Sequence, residues 1–168
     1  MTDVQHISRK RDKQFLFQVE LNWLLDQKGV LSSPDAAGQI HVATPALFGG
    51  KGNEWSPEHL FLSAISSCFM TTYLAFAKKF EFEISNFECS TIGQVDLVEG
   101  AYQFTRINIF PKIFISDEAL HSKAKLALEK TQKYCLVSNS IKAEMIYHSE
   151  VLIWAEHKQS KNSGYAIL

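Results

Sequence analysis

The sequence predicts an α+β fold, a β-sheet carrying two main helices, and three observations lead there. Period-2 alternation marks a long extended segment from Phe15 to Leu25. An uncharged run from Leu60 to Ala77 reads as one long helix. A second helix, opened by Ser116-Asp117-Glu118, carries its apolar residues on a single face. The resulting order, βββ-α-ββ-α-β, is that of an α+β domain.

Each element has a local cause. Phe15, Phe17, Val19, Leu21, Trp23 and Leu25 alternate with polar residues and predict a long first strand. Asp26 to Gly29 reads as a turn, with Gly29 able to take positive φ. A strand from Val30, a break at 33–38 and a strand from Gln39 to Thr44 follow. The glycine-bearing loop 45–55 then leads to Ser56-Pro57-Glu58, a helix start with a hydroxyl N-cap, proline at N1 and an acid in the first turn. Extended segments at 86–97 and 102–115 flank Glu99-Gly100, a hairpin signal. Pro111 predicts that the second of these is an edge strand or carries a bulge. Leu120, Ala124, Ala127, Leu128, Thr131 and Cys135 fall on one face of the second helix, so Cys135 points inward. A last strand spans 143–154. The domain boundaries expected are a polar arm at 1–13, the folded domain at 14–156 and a polar tail at 157–168.

Composition narrows the function classes. With 168 residues, 46% hydrophobic and 21% charged, the chain suits one globular domain. The formal net charge of −1 and the single basic cluster, Arg9 to Lys13, argue against a nucleic-acid surface. Leu60–Ala77 just reaches the roughly 18-residue length of a membrane span. Serines and threonines interrupt it, and the reading adopted is a core helix with no membrane role. Such a helix needs apolar cover on two sides, which a second subunit can supply. Three cysteines without a secretory leader point to the cytoplasm, where paired thiols are more often catalytic than structural.

Cys68 lies midway along the uncharged helix, and Cys135 closes the second helix. They form no CxxC pair, so they can cooperate only through the fold. An ordinary thiol is a few per cent thiolate at neutral pH, and burial lowers that further, so a reactive Cys68 needs directed donors or a cation. Glu58 precedes Cys68 by ten residues, which places it about 15 Å along the helix and roughly 80° around it. It either caps its own helix or serves the cysteine of an antiparallel partner. Cys89 alternates with Phe87 and Thr91 along a strand and reads as a packed core thiol. The six histidines have no ligand spacing, so no metal is expected, and Gly49-Gly-Lys-Gly52 lacks the full phosphate-loop pattern, so no nucleotide or other cofactor is.

Ser56-Pro57-Glu58-His-Leu60, followed by Ser66-Ser67-Cys68-Phe69, resembles the first signature of the OsmC/Ohr family of osmotically inducible and organic hydroperoxide resistance proteins. Cys135-Leu-Val-Ser-Asn-Ser-Ile141 resembles the second, which usually reads Cys-Pro-x-Ser. The resemblance covers residues 14 to 154. It implies an intertwined homodimer with interfacial sites and thiol peroxidase chemistry on organic hydroperoxides. It also implies that Cys68 attacks, Cys135 resolves and Glu58 holds an arginine, with a lipoyl-type or other external dithiol restoring the thiols. The family's arginine comes from the first hairpin turn or from the loop before the cysteine helix. Here those places hold Gln27, Lys28 and Lys51, and the only arginines are Arg9, Arg11 and Arg106. Lys28 and Lys51 are therefore the candidate replacements, as point charges that lack bidentate geometry. Arg106, in an extended segment, is expected in a cross-strand salt bridge. The alternative function is a non-catalytic dimer of the same fold that binds a small apolar ligand at its interface.

Overall fold

The computed structural model describes residues 14–154, so the expected arm at 1–13, residues 155–156 of the expected domain and the whole expected tail at 157–168 lie outside them. The chain divides into two compact units, the first ending at Pro57 and the second starting at Glu58.

The first unit is an antiparallel meander of β1 (Glu20–Leu25), β2 (Lys28–Ser33) and β3 (Ala36–Ala43). The first turn is tighter than expected. Asp26, at φ 52°, takes the left-handed conformation, and Gly29 is already paired with Trp23 inside β2. Gly29 serves close approach instead, because a Cβ there would lie 2.9 Å from Leu21 Cδ1. The first strand is also shorter than predicted, beginning at Glu20 rather than near Phe15, and every β1 residue is exposed. After β3 the chain makes one turn of 3-10 helix at Ala46–Phe48. It returns so that Ala43 N donates to Trp55 O at 2.9 Å.

The second unit opens with α1 (Pro57–Lys79), which starts directly after Ser56 as the sequence predicts. Its Ile65, Phe69, Tyr73 and Ala77 are buried and recur every four residues, one face of the helix. The helix is long and apolar enough to cross a bilayer by length and composition. Even so, its buried face belongs to the same core as the sheet and the second helix. Ser66, Ser67 and Thr71 bond back along the helix, for example Ser66 Oγ to Leu62 O at 3.1 Å and Thr71 Oγ1 to Ser67 O at 3.1 Å.

β4 (Asn86–Val98) and β5 (Ala101–Ile115) form a long hairpin joined by Glu99 and Gly100. Both turn residues have positive φ, 51° and 85°, the requirement of a two-residue type I′ turn. Gly93 lets α1 and Phe104 approach β4, since a Cβ there would meet Phe104 Cε1 at 2.5 Å and Leu62 Cδ2 at 2.9 Å. Ile107, Ile109, Ile113 and Ile115 alternate along β5 and are fully buried.

β5 is the central strand, which corrects the edge half of the expectation drawn from Pro111; the strand does carry a bulge, at Thr105 rather than at Pro111, where the register with β4 shifts between Gln94 and Val95. It pairs with β4 on one side and, in parallel, with β6 (Glu144–Tyr147) and β7 (Glu150–Ile153) on the other. The predicted last strand is thus two short ones, split at His148-Ser149. Ile109 O and Ile115 O accept from His148 N and Trp154 N, so odd-numbered β5 residues direct their main-chain groups toward that side. Pro111 shares that parity and falls between the β6 ladder, ending at Ile109, and the β7 ladder, starting at Lys112. Its missing N–H faces the gap, where no ladder bond is lost.

Asp117 accepts a hydrogen bond from Ala119 N at 2.9 Å and caps a 3-10 turn that runs into α2 (His121–Tyr134). The predicted stripe is the buried one, with Ala124, Ala127, Leu128 and Thr131 inside. A single turn, α3 (Leu136–Asn139), follows. The α+β class and the two main helices are as the sequence predicts.

Candidate active site

The site forms where the middle of α1 meets the junction of α2 and α3. Cys135 occupies that junction, ending α2 and preceding α3 with φ −64° and ψ 112°. Two main-chain bonds hold the kink: Cys135 N donates to Thr131 O at 2.9 Å, and Asn139 N donates to Cys135 O at 3.0 Å. Asn139 Nδ2 also donates to Lys133 O at 2.9 Å, tying the end of α3 back to α2. The thiol of Cys135 is fully buried.

Cys68 is half-buried, one position before the core residue Phe69. Val137 N donates to its Sγ at 3.5 Å, and the Leu136 amide and the Cys135 thiol are near enough to influence its acidity. Thr72 Oγ1, one turn along α1, lies 4.0 Å from the same sulfur. Ser138 Oγ, fixed in α3, donates to Cys135 Sγ at 3.2 Å. The two thiols that the sequence could pair only through the fold are therefore neighbours.

Their acidities are pushed in opposite directions. Burial raises Cys68, but donation from the Val137 amide, the Cys135 thiol, Thr72 and the Leu136 amide outweighs it, and the thiol sits below its ordinary value. Burial raises Cys135; the Ser138 hydroxyl and amide offset part of that, while the hydrogen bond to Cys68 and the charge of Cys68 push it higher. Titratable neighbours separated in this way divide into a reactive anion and a proton-bearing partner. Tyr147 is also raised, by burial first; the Ser138 hydroxyl lowers it in part, and Cys135 raises it.

Glu58 occupies the first turn of α1, with Oε2 buried and, among the described residues, without a hydrogen-bond partner. Its helical distance from Cys68 keeps it out of the thiol cluster of its own chain. Lys28 and Lys51 line one cavity of about 540 Å³ in the first unit, together with Asp26, Thr44 and Gly50. Lys28 Nζ pairs with Glu54 at 3.0 Å and Lys51 Nζ with Asp26 at 3.6 Å. Arg106 Nε pairs with Glu144 at 3.0 Å, the expected cross-strand bridge between β5 and β6. Cys89, raised by burial, packs against the core as predicted.

Four contributors escaped the sequence reading: Thr72, Ser138 and the amides of Leu136 and Val137. Ser138 carried a faint signal, since it stands three residues after Cys135 and one helical turn brings such residues together. The amides carried none, because every residue but proline has one.

A family model described as OsmC-like protein matches residues 50–148, more than half of the chain. The uncharacterized protein YmaD of Bacillus subtilis (strain 168) is 20% identical over 132 residues, covering 77% of this chain and 88% of that one. Among solved structures, an OsmC-like protein from Mycoplasma pneumoniae superposes with a TM-score of 0.71 at 14% identity, covering 83% of this chain and 99% of the other. An organic hydroperoxide resistance protein OsmC from Legionella pneumophila gives 0.63 at 16% identity, covering 84% and 99%. At such identities the structures report shared fold alone. With both cysteines of the thiol cluster inside the matched segment, the chain belongs to the OsmC-like family.

Proposed function

We propose that the protein is a thiol peroxidase that reduces organic hydroperoxides. The observation that carries this reading is the contact of Cys68 with Cys135, the first thiol lowered and the second raised in pKa. The Cys68 thiolate attacks the terminal oxygen of a hydroperoxide. An S–O bond forms, the O–O bond breaks, and the alkoxide leaves as the alcohol after taking a proton. Cys135 then attacks the sulfenic sulfur, an S–S bond forms, and the hydroxyl departs as water. An external dithiol, of lipoyl type or another carrier, reduces the disulfide by exchange.

The order of events follows from the site. Two of the influences that raise Cys135 come from Cys68 itself. Once Cys68 is a neutral sulfenic acid its charge no longer raises Cys135, and the donors on Ser138 remain. Cys135 thus becomes the better nucleophile only after its partner has reacted.

The reading includes a homodimer in the cytoplasm. β1 leaves Leu21, Trp23 and Leu25 more than 60% exposed, an apolar surface of the kind a second subunit covers. Glu58, with a buried oxygen lacking a partner, would take a cation on assembly, and Lys28 and Lys51 are the candidates for it. That role concerns orientation of the peroxide. The test is consumption of cumene hydroperoxide with a dithiol reductant. Wild-type protein should turn over and Cys68→Ser should lose essentially all turnover; equal rates would refute the proposal.

A further inference from the structure

We infer that the Thr72 hydroxyl is a catalytic group that binds the oxygen Cys68 takes from the hydroperoxide. The inference deepens the peroxidase reading and rests on it.

The geometry of α1 carries it. Thr72 follows Cys68 by four residues, so its side chain lies back over the thiol on one helix face. Ser66, Ser67 and Thr71 spend their hydroxyls on the main chain, bonding to Leu62 O at 3.1 Å, Ala64 O at 3.2 Å and Ser67 O at 3.1 Å. The equivalent acceptor for Thr72 is Cys68 O. That carbonyl already takes the helical N–H of Thr72 and, at 3.1 Å, the hydroxyl of Thr71. Thr72 Oγ1 stands instead 4.0 Å from Cys68 Sγ.

This spacing sets it apart from the other hydroxyl at the site. Ser138 Oγ meets the fully buried Cys135 Sγ at 3.2 Å, in direct contact. The Thr72–Cys68 pair is looser, and both of its members are half-buried, within reach of solvent. At 4.0 Å a hydroxyl holds a bare sulfur weakly. An oxygen bonded to that sulfur and directed at Thr72 closes the gap to an ordinary O–H···O hydrogen bond. Thr72 therefore fits the sulfur better as it gains oxygen than before, the relation that lowers a barrier.

In the step, a lone pair of the Cys68 thiolate forms the S–O bond to the terminal peroxide oxygen while the O–O bond breaks. Sulfur is oxidised by two electrons and the hydroperoxide is reduced. The departing alkoxide takes its proton from water. Thr72 keeps its own proton and holds the transferred oxygen by hydrogen bonding alone.

The experiment follows single-turnover oxidation of reduced full-length protein by cumene hydroperoxide, with Cys68 read by peptide mass mapping. Rates are compared on the high-pH plateau, where Cys68 is thiolate in every variant and changes in its acidity do not enter. Iodoacetamide, which transfers no oxygen, gives the matching plateau for alkylation. Thr72→Val keeps the side-chain shape and removes the hydroxyl. It should slow oxidation about tenfold and leave alkylation within about twofold of wild type. Thr72→Ser should restore oxidation. Oxidation of Thr72→Val at the wild-type rate would overturn the inference while leaving the peroxidase reading intact. Equal slowing of oxidation and alkylation would overturn it too, by placing the effect on the sulfur itself. If the hydroperoxide leaves Cys68 reduced in wild-type protein, the peroxidase reading falls and takes the inference with it.

Discussion

β1 and β5 carry similar alternating patterns, yet the fold treats them oppositely. In β5 the isoleucines at 107, 109, 113 and 115 are fully buried beneath two helices. In β1 the alternating Leu21, Trp23 and Leu25 are exposed, and so are the residues between them. Alternation therefore reports extended backbone, while burial requires a second layer, and only the second unit supplies its own. The contrast separates a part of the chain that covers its own strands from a part that leaves them exposed, the face where the second subunit of the proposed dimer would pack.

The largest effect expected follows from that contrast. Phe69→Ala removes a fully buried ring from the α1 face and should cost about 3–5 kcal/mol in denaturant unfolding. Trp23→Ala, at a residue 72% exposed, should change unfolding of dilute protein by less than about 0.5 kcal/mol while weakening self-association in sedimentation. A large stability loss in dilute Trp23→Ala with association unaltered would break the comparison.

The pH behaviour of the two thiols sharpens it at the site. The folded-state pKa of Cys68 lies below the ordinary 9.0, so the stability its thiolate adds is present above the unfolded value and lost as pH falls through the folded one. Cys135 has the opposite sign. Its contribution is present below the unfolded value and lost as pH rises through the folded one. Alkylation of native protein should therefore label Cys68 at a lower pH than Cys135, with the order read by mass mapping. The smallest effect expected is that of Ser138→Ala. Losing the hydroxyl donor should raise Cys135 further and slow disulfide closure several-fold, leaving the first oxidation of Cys68 nearly intact.

Much of this was legible in the residues, and what was not has physical causes. The α2 stripe and the Glu99-Gly100 hairpin could be read because each depends on side-chain type at fixed spacing. Pro111 misled because its missing N–H excludes one ladder bond, and an edge strand is only one way to avoid that bond. The gap between β6 and β7 is another. The turn near Gly29 misled because Asp26 can take positive φ, and the glycine's small size was needed beneath Leu21 instead. At the site, the two signatures brought Cys68 and Cys135 to notice. The groups that tune them are the hydroxyls of Thr72 and Ser138 together with main-chain amides beside the kink at Cys135, and a residue alphabet does not encode the amides.

The central claim is that Cys68 and Cys135 are a redox pair, and one measurement tests it most directly. Reduced protein treated with one equivalent of organic hydroperoxide should yield a Cys68–Cys135 disulfide in peptide mass mapping, with Cys89 still free. A Cys68 that stays reduced, or one oxidised while Cys135 persists as a free thiol, would contradict it.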